Sequence, residues 1–247
     1  MNRAEFRFYA ELNDFLPPER RFASFACCFQ VSGSVKDLIE AAGVPHTEVD
    51  LILANGESVD FSYLVRDGDR ISVYPVFESL DITPALRVRP RPLRQVRFVL
   101  DAHLGRLASY LRMLGFDALY RNDYRDEELV ELSTSESRIL LTRDRNLLKH
   151  RVIQYGYAVR ETNPRRQARE VLERFDLFGS VAPFTRCLRC NNPLEEALKE
   201  AISDRLPPST REHYEEFRLC RGCGRLYWAG SHYQRMKRLI GELLARG

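Results

Sequence analysis

Residues 96–178 alternate between short apolar runs and amphipathic runs, and this alternation restricts the possible fold more than any other feature of the chain. Runs with the length of buried strands occupy residues 96–101, 117–120, 138–142 and 155–161. Runs with helical periodicity occupy residues 103–115, 126–136, 145–151 and 166–178. Strands that are joined by helical crossovers form a parallel sheet, so this region is predicted to be an α/β domain.

Acidic residues stand where two of these predicted strands end. Asp101 closes the first strand, and Asp144 follows the third, while Asp126 opens the helix between them, with Asp123 and Glu127 beside it. Parallel sheets bind ligands beyond the carboxyl ends of their strands. Carboxylates that gather there need a cation, and Mg²⁺ or Mn²⁺ accepts such oxygen ligands. Each acid alone also suits the capping of a helix or turn, so the residues leave both interpretations open.

Charge is distributed unevenly along the chain. Residues 1–85 carry 7 Lys+Arg and 14 Asp+Glu, a net −7, whereas residues 86–247 carry 31 and 21, a net +10. A basic region suits a polyanion such as nucleic acid, and a general richness in arginine is the alternative explanation. Three arginines near the acids are candidates for binding phosphate oxygens: Arg106, Arg143 and Arg145.

Two Cys-x-x-Cys pairs lie in the last quarter of the chain. They are Cys187 with Cys190, and Cys220 with Cys223. Four thiolates match a closed, tetrahedral Zn²⁺ site, which would support the fold and leave no open position for chemistry. The 29 residues between the pairs are predicted to contain a helix of their own. A redox pair or an iron–sulfur centre remains the alternative.

Arginines and aromatic residues surround the cysteines. Arg189, Arg221 and Arg225 are predicted to follow a nucleic-acid backbone, and Tyr227 and Trp228 to stack on unpaired bases. The alternative is that the two rings pack against the metal knuckles. Residues 231–245 form an amphipathic, basic pattern that predicts a closing helix.

The first 78 residues predict strand, strand, helix, strand and strand in that order. Ser34 is suited to cap the helix, Gly43 to end it, and Asn55-Gly56 to form a tight hairpin turn. This order resembles the ubiquitin-like β-grasp fold of small sulfur-carrier proteins. Those carriers end in Gly-Gly, and here the last predicted strand continues into "YPVFESLDITP". The domain is therefore interpreted as a docking or substrate-guiding module that offers a surface to a protein partner.

Three stretches carry a second resemblance: "FVLDAHLGRLASYLRMLGFDALY", "DYRDEELVELS" and "RILLTRDRNLL". Together with the cysteine pairs they resemble the RNase domain named for the C-terminus of the Mut-seven exonuclease, a PIN-like family. The resemblance implies a divalent-metal site made by Asp101, Asp126 and Asp144. It also implies Asp123 or Glu127 as substitutes for Asp126, and Asn146 stands where many PIN sites carry a fourth acid.

The sequence as a whole predicts an α/β protein with a β-grasp domain at 1–80, a linker at 81–95, a PIN-like nuclease domain at 96–182 and a zinc ribbon at 183–247. The predicted function is hydrolysis of RNA by a Mg²⁺- or Mn²⁺-dependent ribonuclease. The alternatives are a non-catalytic RNA-binding adaptor and a partner in a sulfur-carrier pathway. No run of about 18 apolar residues is present and the first residues do not resemble a secretory signal, so a cytoplasmic protein without a membrane span is expected.

Overall fold

The computed structural model describes residues 2–31, 33–75, 88 and 96–245, so the predicted linker lies outside the described residues except for Val88. The chain divides into two compact units. The first unit combines residues 1–95 with 125–158, and the second combines 96–124 with 159–247.

A five-stranded mixed sheet forms the N-terminal part of the first unit. Its elements are β1 (Asn2–Phe8), β2 (Phe25–Phe29), α1 (Val35–Ala41), β3 (Leu51–Ala54), β4 (Glu57–Val59) and β5 (Arg70–Tyr74). The strand order is β2-β1-β5-β3-β4. The central pair β1 and β5 is parallel, and the other neighbours are antiparallel. Phe6, Ile39 and Val73 are fully buried between sheet and helix. The β-grasp topology is confirmed, and three strands follow α1 where the sequence predicted two.

The turns of this sheet follow local chemistry. The Ser34 side chain accepts a hydrogen bond from the Asp37 backbone N–H and begins α1. Asn55 and Gly56 have φ values of +53° and +91°, as a tight hairpin turn requires.

Buried Asp69 joins two of these turns through hydrogen bonds. It accepts them from the Asn55 amide, the Tyr63 hydroxyl and the Arg66 backbone N–H. Burial alone would raise the pKa of Asp69, but these three donors lower it below the ordinary value of an aspartate.

The first unit also contains α3 (Asp126–Ser135), β8 (Ile139–Thr142) and β9 (Gly156–Ala158). β8 and β9 are parallel, and Ile139, Leu140 and Leu141 are buried, as the apolar run predicted. The predicted helix at 145–151 is reduced to a 3-10 turn at Leu147–Lys149. α3 begins at Asp126 as predicted, and its N-cap is Arg125, whose backbone N–H is accepted by the Glu128 carboxylate.

The second unit begins with β6 (Arg97–Leu100), α2 (Gly105–Met113) and β7 (Asp117–Tyr120) and continues with α4 (Pro164–Arg174). β6 and β7 are parallel, with Leu100 opposite Tyr120, and α2 packs on α4. Gly115 follows α2 with φ +97°. A Cβ there would overlap the Ala182 carbonyl, so glycine is required both for the conformation and for the close approach.

The cysteine region of the second unit is an antiparallel sheet with helical insertions. Its strands are β10 (Leu194–Ala197), β11 (Phe217–Cys220) and β12 (Leu226–Trp228), in the order β10-β11-β12. The insertion between the cysteine pairs forms α5 (Lys199–Ile202) and α6 (Pro208–His213), which confirms that it has helical structure of its own. The chain closes with α7 (Ser231–Leu244), which packs on α4. No helix in the described ranges has the length and apolarity to cross a membrane.

Candidate functional site

Four cysteine side chains converge in the second unit. The Sγ atoms of Cys187 and Cys223 are 3.5 Å apart, and those of Cys190 and Cys220 are 3.2 Å apart. All four Sγ atoms lie within 4.8 Å of one another. Zn–S bonds of about 2.3 Å place tetrahedral sulfurs about 3.8 Å apart, so the cluster has the donor type and spacing of a structural zinc site.

Backbone hydrogen bonds shape the two turns that present the cysteines. In the first turn the Asn191 N–H donates to the Cys187 carbonyl, and in the second the Gly224 N–H donates to the Cys220 carbonyl. Gly224 has φ +71°, and a Cβ on Gly222 would overlap the Asn192 side chain of the first turn. The glycines thus let the two turns approach each other closely.

The pKa of the Cys187 thiol is lower than that of an ordinary cysteine. Burial alone would raise the pKa of Cys187, but hydrogen bonds from the Tyr227 hydroxyl and from the Cys190 and Arg189 backbone N–H groups lower it to about 6. The Tyr227 hydroxyl lies 3.1 Å from the Cys187 Sγ. Burial raises the pKa of Cys190 to about 12. Binding of a cation to the four sulfurs would displace the protons of the thiols.

Buried Arg112 anchors the first cysteine turn to the α/β part of the same unit. It is 5% exposed, and its guanidinium donates to the carbonyls of Ala118 (2.9 Å), Leu188 (3.1 Å) and Arg189 (3.0 Å). Four thiolates around one Zn²⁺ carry a net charge of −2, and the guanidinium cation offsets part of it.

Asn191 makes a second anchor to the same strand, β7. It accepts the Ala118 backbone N–H at 3.0 Å and donates to the Asp117 carboxylate at 2.7 Å. The sequence interpretation missed both anchors. One signal was present for Arg112, which stands four residues after buried Ala108 and therefore on the apolar face of α2.

Two of the predicted acids belong to the second unit. Asp101 directly follows β6 and is the N-cap of a 3-10 turn without capping through its side chain. Asp123 is exposed, and both of its carboxylate oxygens accept hydrogen bonds from Arg121 at 2.9 Å. This pairing lowers the pKa of Asp123 and occupies the oxygens that a metal would need.

The other predicted acids belong to the first unit. Asp144 is exposed, and its Oδ1 accepts the Asn146 backbone N–H at 2.8 Å, the bond that the turn-capping interpretation predicts. Asp126 and Glu127 occupy the first turn of α3, where carboxylates favour the helix dipole. Arg143 and Arg145 are exposed beside Asp144.

The arginines proposed to contact RNA lie on the surface of the second unit. Arg106, Arg189, Arg221 and Arg225 are exposed, and Arg221 pairs with Glu195 at 3.0 Å. The two rings are half-buried and have structural contacts. The Tyr227 hydroxyl accepts a hydrogen bond from the Leu188 backbone N–H of the first cysteine turn. Trp228 packs on the cluster of Ile202, Leu206 and Phe217.

A cleft of about 480 Å³ lies beside Trp228 in the second unit. The rings of Phe184 and Tyr233, 4.3 Å apart, form part of its lining. Its charged lining residues are Arg186, Arg218, Glu196, Glu215 and Glu216. Two cations against three carboxylates give a formal charge of −1, so the cleft itself does not favour phosphate.

A ubiquitin-like β-grasp sheet, parallel α/β elements and a four-cysteine centre together define the class of this protein. The family model described as Mut7-C RNAse domain matches residues 96–240, and the model described as Mut7-C ubiquitin matches residues 1–81. The chain therefore belongs to the Mut7-C RNAse domain family, with the ubiquitin-like domain in front. This membership indicates a function of the ribonuclease type and confirms the resemblance read from the motifs.

Two solved structures of the small archaeal modifier protein SAMP1 of Haloferax volcanii are similar to part of the chain. They are 16% and 17% identical, cover 31% and 32% of this chain and 100% of their own, and have TM-scores of 0.26 and 0.25. A search of curated proteins found no match.

Proposed function

We propose that this protein is a divalent-metal-dependent ribonuclease that hydrolyses RNA phosphodiester bonds. The observation that carries the proposal is the match to the Mut7-C RNAse domain over residues 96–240. That interval contains all three acids of the proposed site, Asp101, Asp126 and Asp144.

The chemistry of these residues fits Mg²⁺ or Mn²⁺. All three are carboxylates, the hard oxygen donors that these ions prefer. When bound, such an ion supplies an activated water and stabilises the charge on the leaving oxygen. The Asp144 Oδ1 accepts the Asn146 N–H, which restrains the carboxylate, and Oδ2 takes no part in this bond. Glu127 is the preferred substitute for Asp126, because Asp123 is engaged by Arg121.

The exposed arginines supply the RNA contacts in this proposal. Arg143 and Arg145 flank Asp144, and Arg106, Arg189 and Arg225 add positive charge on the second unit. Guanidinium groups pair with phosphate oxygens through two parallel hydrogen bonds. Tyr227 and Trp228 hold the zinc ribbon together in the structure, and stacking of their exposed ring faces on bases is the second part of the same proposal.

The test is cleavage of an end-labelled single-stranded RNA by the full chain, with Mg²⁺ or Mn²⁺ added to a metal-free reaction. The double variant Asp101→Asn with Asp144→Asn should lose cleavage by a factor of 10³ or more, on the order expected when the ion is lost. Asp204→Asn, an exposed aspartate outside the proposed site, is the matched control and should retain the rate. Full activity in a clean preparation of the double variant would reject the assignment.

Asn146 favours one other candidate, an RNA-binding adaptor that does not cleave, because a neutral amide stands where many PIN sites carry an acid. RNA affinity of the wild type without any metal-stimulated cleavage, across single-stranded and structured substrates, would select the adaptor.

We also propose that Cys187, Cys190, Cys220 and Cys223 hold one structural Zn²⁺. Elemental analysis of the purified chain should give one zinc per chain, and Cys187→Ser should reduce it. Retention of full zinc by this variant would contradict the assignment. The proposed domain limits are 1–80, 96–182 and 183–247, with a linker at 81–95.

A further inference from the structure

The 3-10 turn His46–Glu48 of the ubiquitin-like domain is almost completely buried within the first unit. His46 is 5%, Thr47 1% and Glu48 0% exposed. Three consecutive polar residues are rarely excluded from water unless their polar atoms have partners. The turn packs on β9 and on the 3-10 turn Leu147–Lys149, so its surroundings belong to the nuclease segment of the chain.

Two hydrogen bonds join this turn to the nuclease segment. The Glu48 Oε1 accepts the Ala158 backbone N–H at 2.6 Å. The His46 Nε2 lies 2.7 Å from the Ile153 carbonyl oxygen, which can only accept, so Nε2 carries the proton and donates it. The Nδ1 of the same ring lies 2.6 Å from the Glu40 carboxylate of α1, which fixes the orientation of the ring.

Gly156 lies where the nuclease segment meets the turn, and the space beside its Cα is filled mainly by Leu148 of the same segment. A Cβ placed on Gly156 would lie 2.6 Å from the Leu148 Cδ2 and 3.4 Å from the Thr47 Cγ2. Leu147, Leu148 and Ile153 are at most 3% exposed. This interface is therefore packed as closely as a protein core.

A second set of contacts holds the residue next to Asp144. The Arg145 guanidinium lies 4.6 Å from the centre of the Phe15 ring and donates to the Asp14 carbonyl at 3.4 Å. Both partners belong to the ubiquitin-like domain. The domain therefore contacts the chain at residue 145 and again at 153 and 158.

We propose that the ubiquitin-like domain positions the catalytic loop of the nuclease, and that His46 and Glu48 are the positioning residues. The segment they hold, residues 145–158, begins directly after Asp144. Its path determines where the turn that carries the Asp144 carboxylate is placed. The inference rests on the proposed function in one respect, the catalytic role of Asp144. The contacts that restrain residues 145–158 do not depend on that role.

The test compares Glu48→Ala and Glu48→Gln in the full chain by hydrogen exchange and by steady-state RNA cleavage. Glu48→Ala removes the acceptor of the Ala158 N–H, whereas Glu48→Gln keeps a carbonyl oxygen in place. Glu57→Ala, an exposed glutamate on β4 of the same domain, is the matched control.

We expect Glu48→Ala to increase exchange of the amides in 147–158 at least tenfold, with β1, β3 and β5 unchanged. We expect kcat to fall about tenfold with KM nearly constant, and Glu48→Gln to recover most of the loss. If Glu48→Ala does not fold, the same comparison is made with His46→Ala and His46→Gln, since a glutamine amide can donate to Ile153.

If hydrogen exchange of the amides in 147–158 is unchanged in Glu48→Ala, the proposal that the ubiquitin-like domain restrains this segment is overturned. Increased exchange with an unchanged kcat would overturn the positioning role. A wild-type chain that cleaves no RNA would overturn the proposed function instead, and the exchange measurement would still decide whether the ubiquitin-like domain holds the segment.

Discussion

Replacement of Arg112 by methionine should weaken both the fold of the second unit and its affinity for zinc. Methionine retains the apolar stem and removes the guanidinium, so the carbonyls of Ala118, Leu188 and Arg189 lose their shared donor. A hydrogen bond from a charged group contributes about 1.5–3 kcal/mol, but three bonds from one group are not additive. Loss of one partner in a buried charged arrangement costs about 3–5 kcal/mol, so we expect the free energy of unfolding to fall by about 3 kcal/mol.

Zinc affinity should decrease about 10- to 100-fold in the same variant, as for other residues that support metal ligands through their backbone. The affinity is measured by competition with a chromophoric chelator, and unfolding by urea with the emission of Trp228, the single tryptophan. Arg106→Met is the matched control, because Arg106 is an exposed arginine of the same helix. Wild-type zinc affinity in Arg112→Met would refute the role of this cation in supporting the metal centre.

Three further predictions concern positions where the structure sets a strict local requirement. Asp69→Asn should destabilise the β-grasp sheet near neutral pH by about 1–3 kcal/mol. Because the pKa of Asp69 is lowered in the fold, the variant should have a lower free energy of unfolding than the wild type above the unfolded pKa of about 3.9. This difference should vanish as the pH falls through the folded pKa, and a difference that persists in acid would contradict the prediction. Gly115→Ala should cost about 2–5 kcal/mol in urea unfolding, from its positive φ and its overlap with Ala182, and a loss below 0.5 kcal/mol would reject that reasoning. Gly222→Ala should reduce zinc affinity and be rescued by Asn192→Ala, which removes the overlapping side chain; failure of rescue would show that the backbone of the turn is the cause.

Features that depend on local sequence could be predicted. The Asn55-Gly56 turn, the Ser34 cap and the glycines of the cysteine turns each follow from a conformation or hydrogen bond within a few residues. The metal site could be predicted equally well from the Cys-x-x-Cys pairs, because each pair requires only one turn and four nearby thiols have few roles other than metal binding.

Features that depend on long-range packing could not be predicted. Arg112 and Asn191 both form hydrogen bonds to β7, and Arg112 also donates to the carbonyls of Leu188 and Arg189. Nothing near either residue in the sequence indicates these partners. His46 and Glu48 have the composition of an ordinary exposed turn, yet their partners lie more than 100 residues away. Asp126 opens α3 as predicted, but the N-cap is Arg125, whose backbone N–H is accepted by Glu128, and propensity alone does not favour an arginine at that position.

The interleaved order of the two units has a consequence for how this protein is made. Residues 1–95 leave the ribosome first, but the turn His46–Glu48 has no counterpart until residues 145–158 have been synthesised. A truncated product that stops after the ubiquitin-like domain would expose this turn to water and leave the Glu48 carboxylate without the Ala158 N–H. Expression of that fragment alone should therefore give a domain that is less stable than the same residues are in the intact polypeptide.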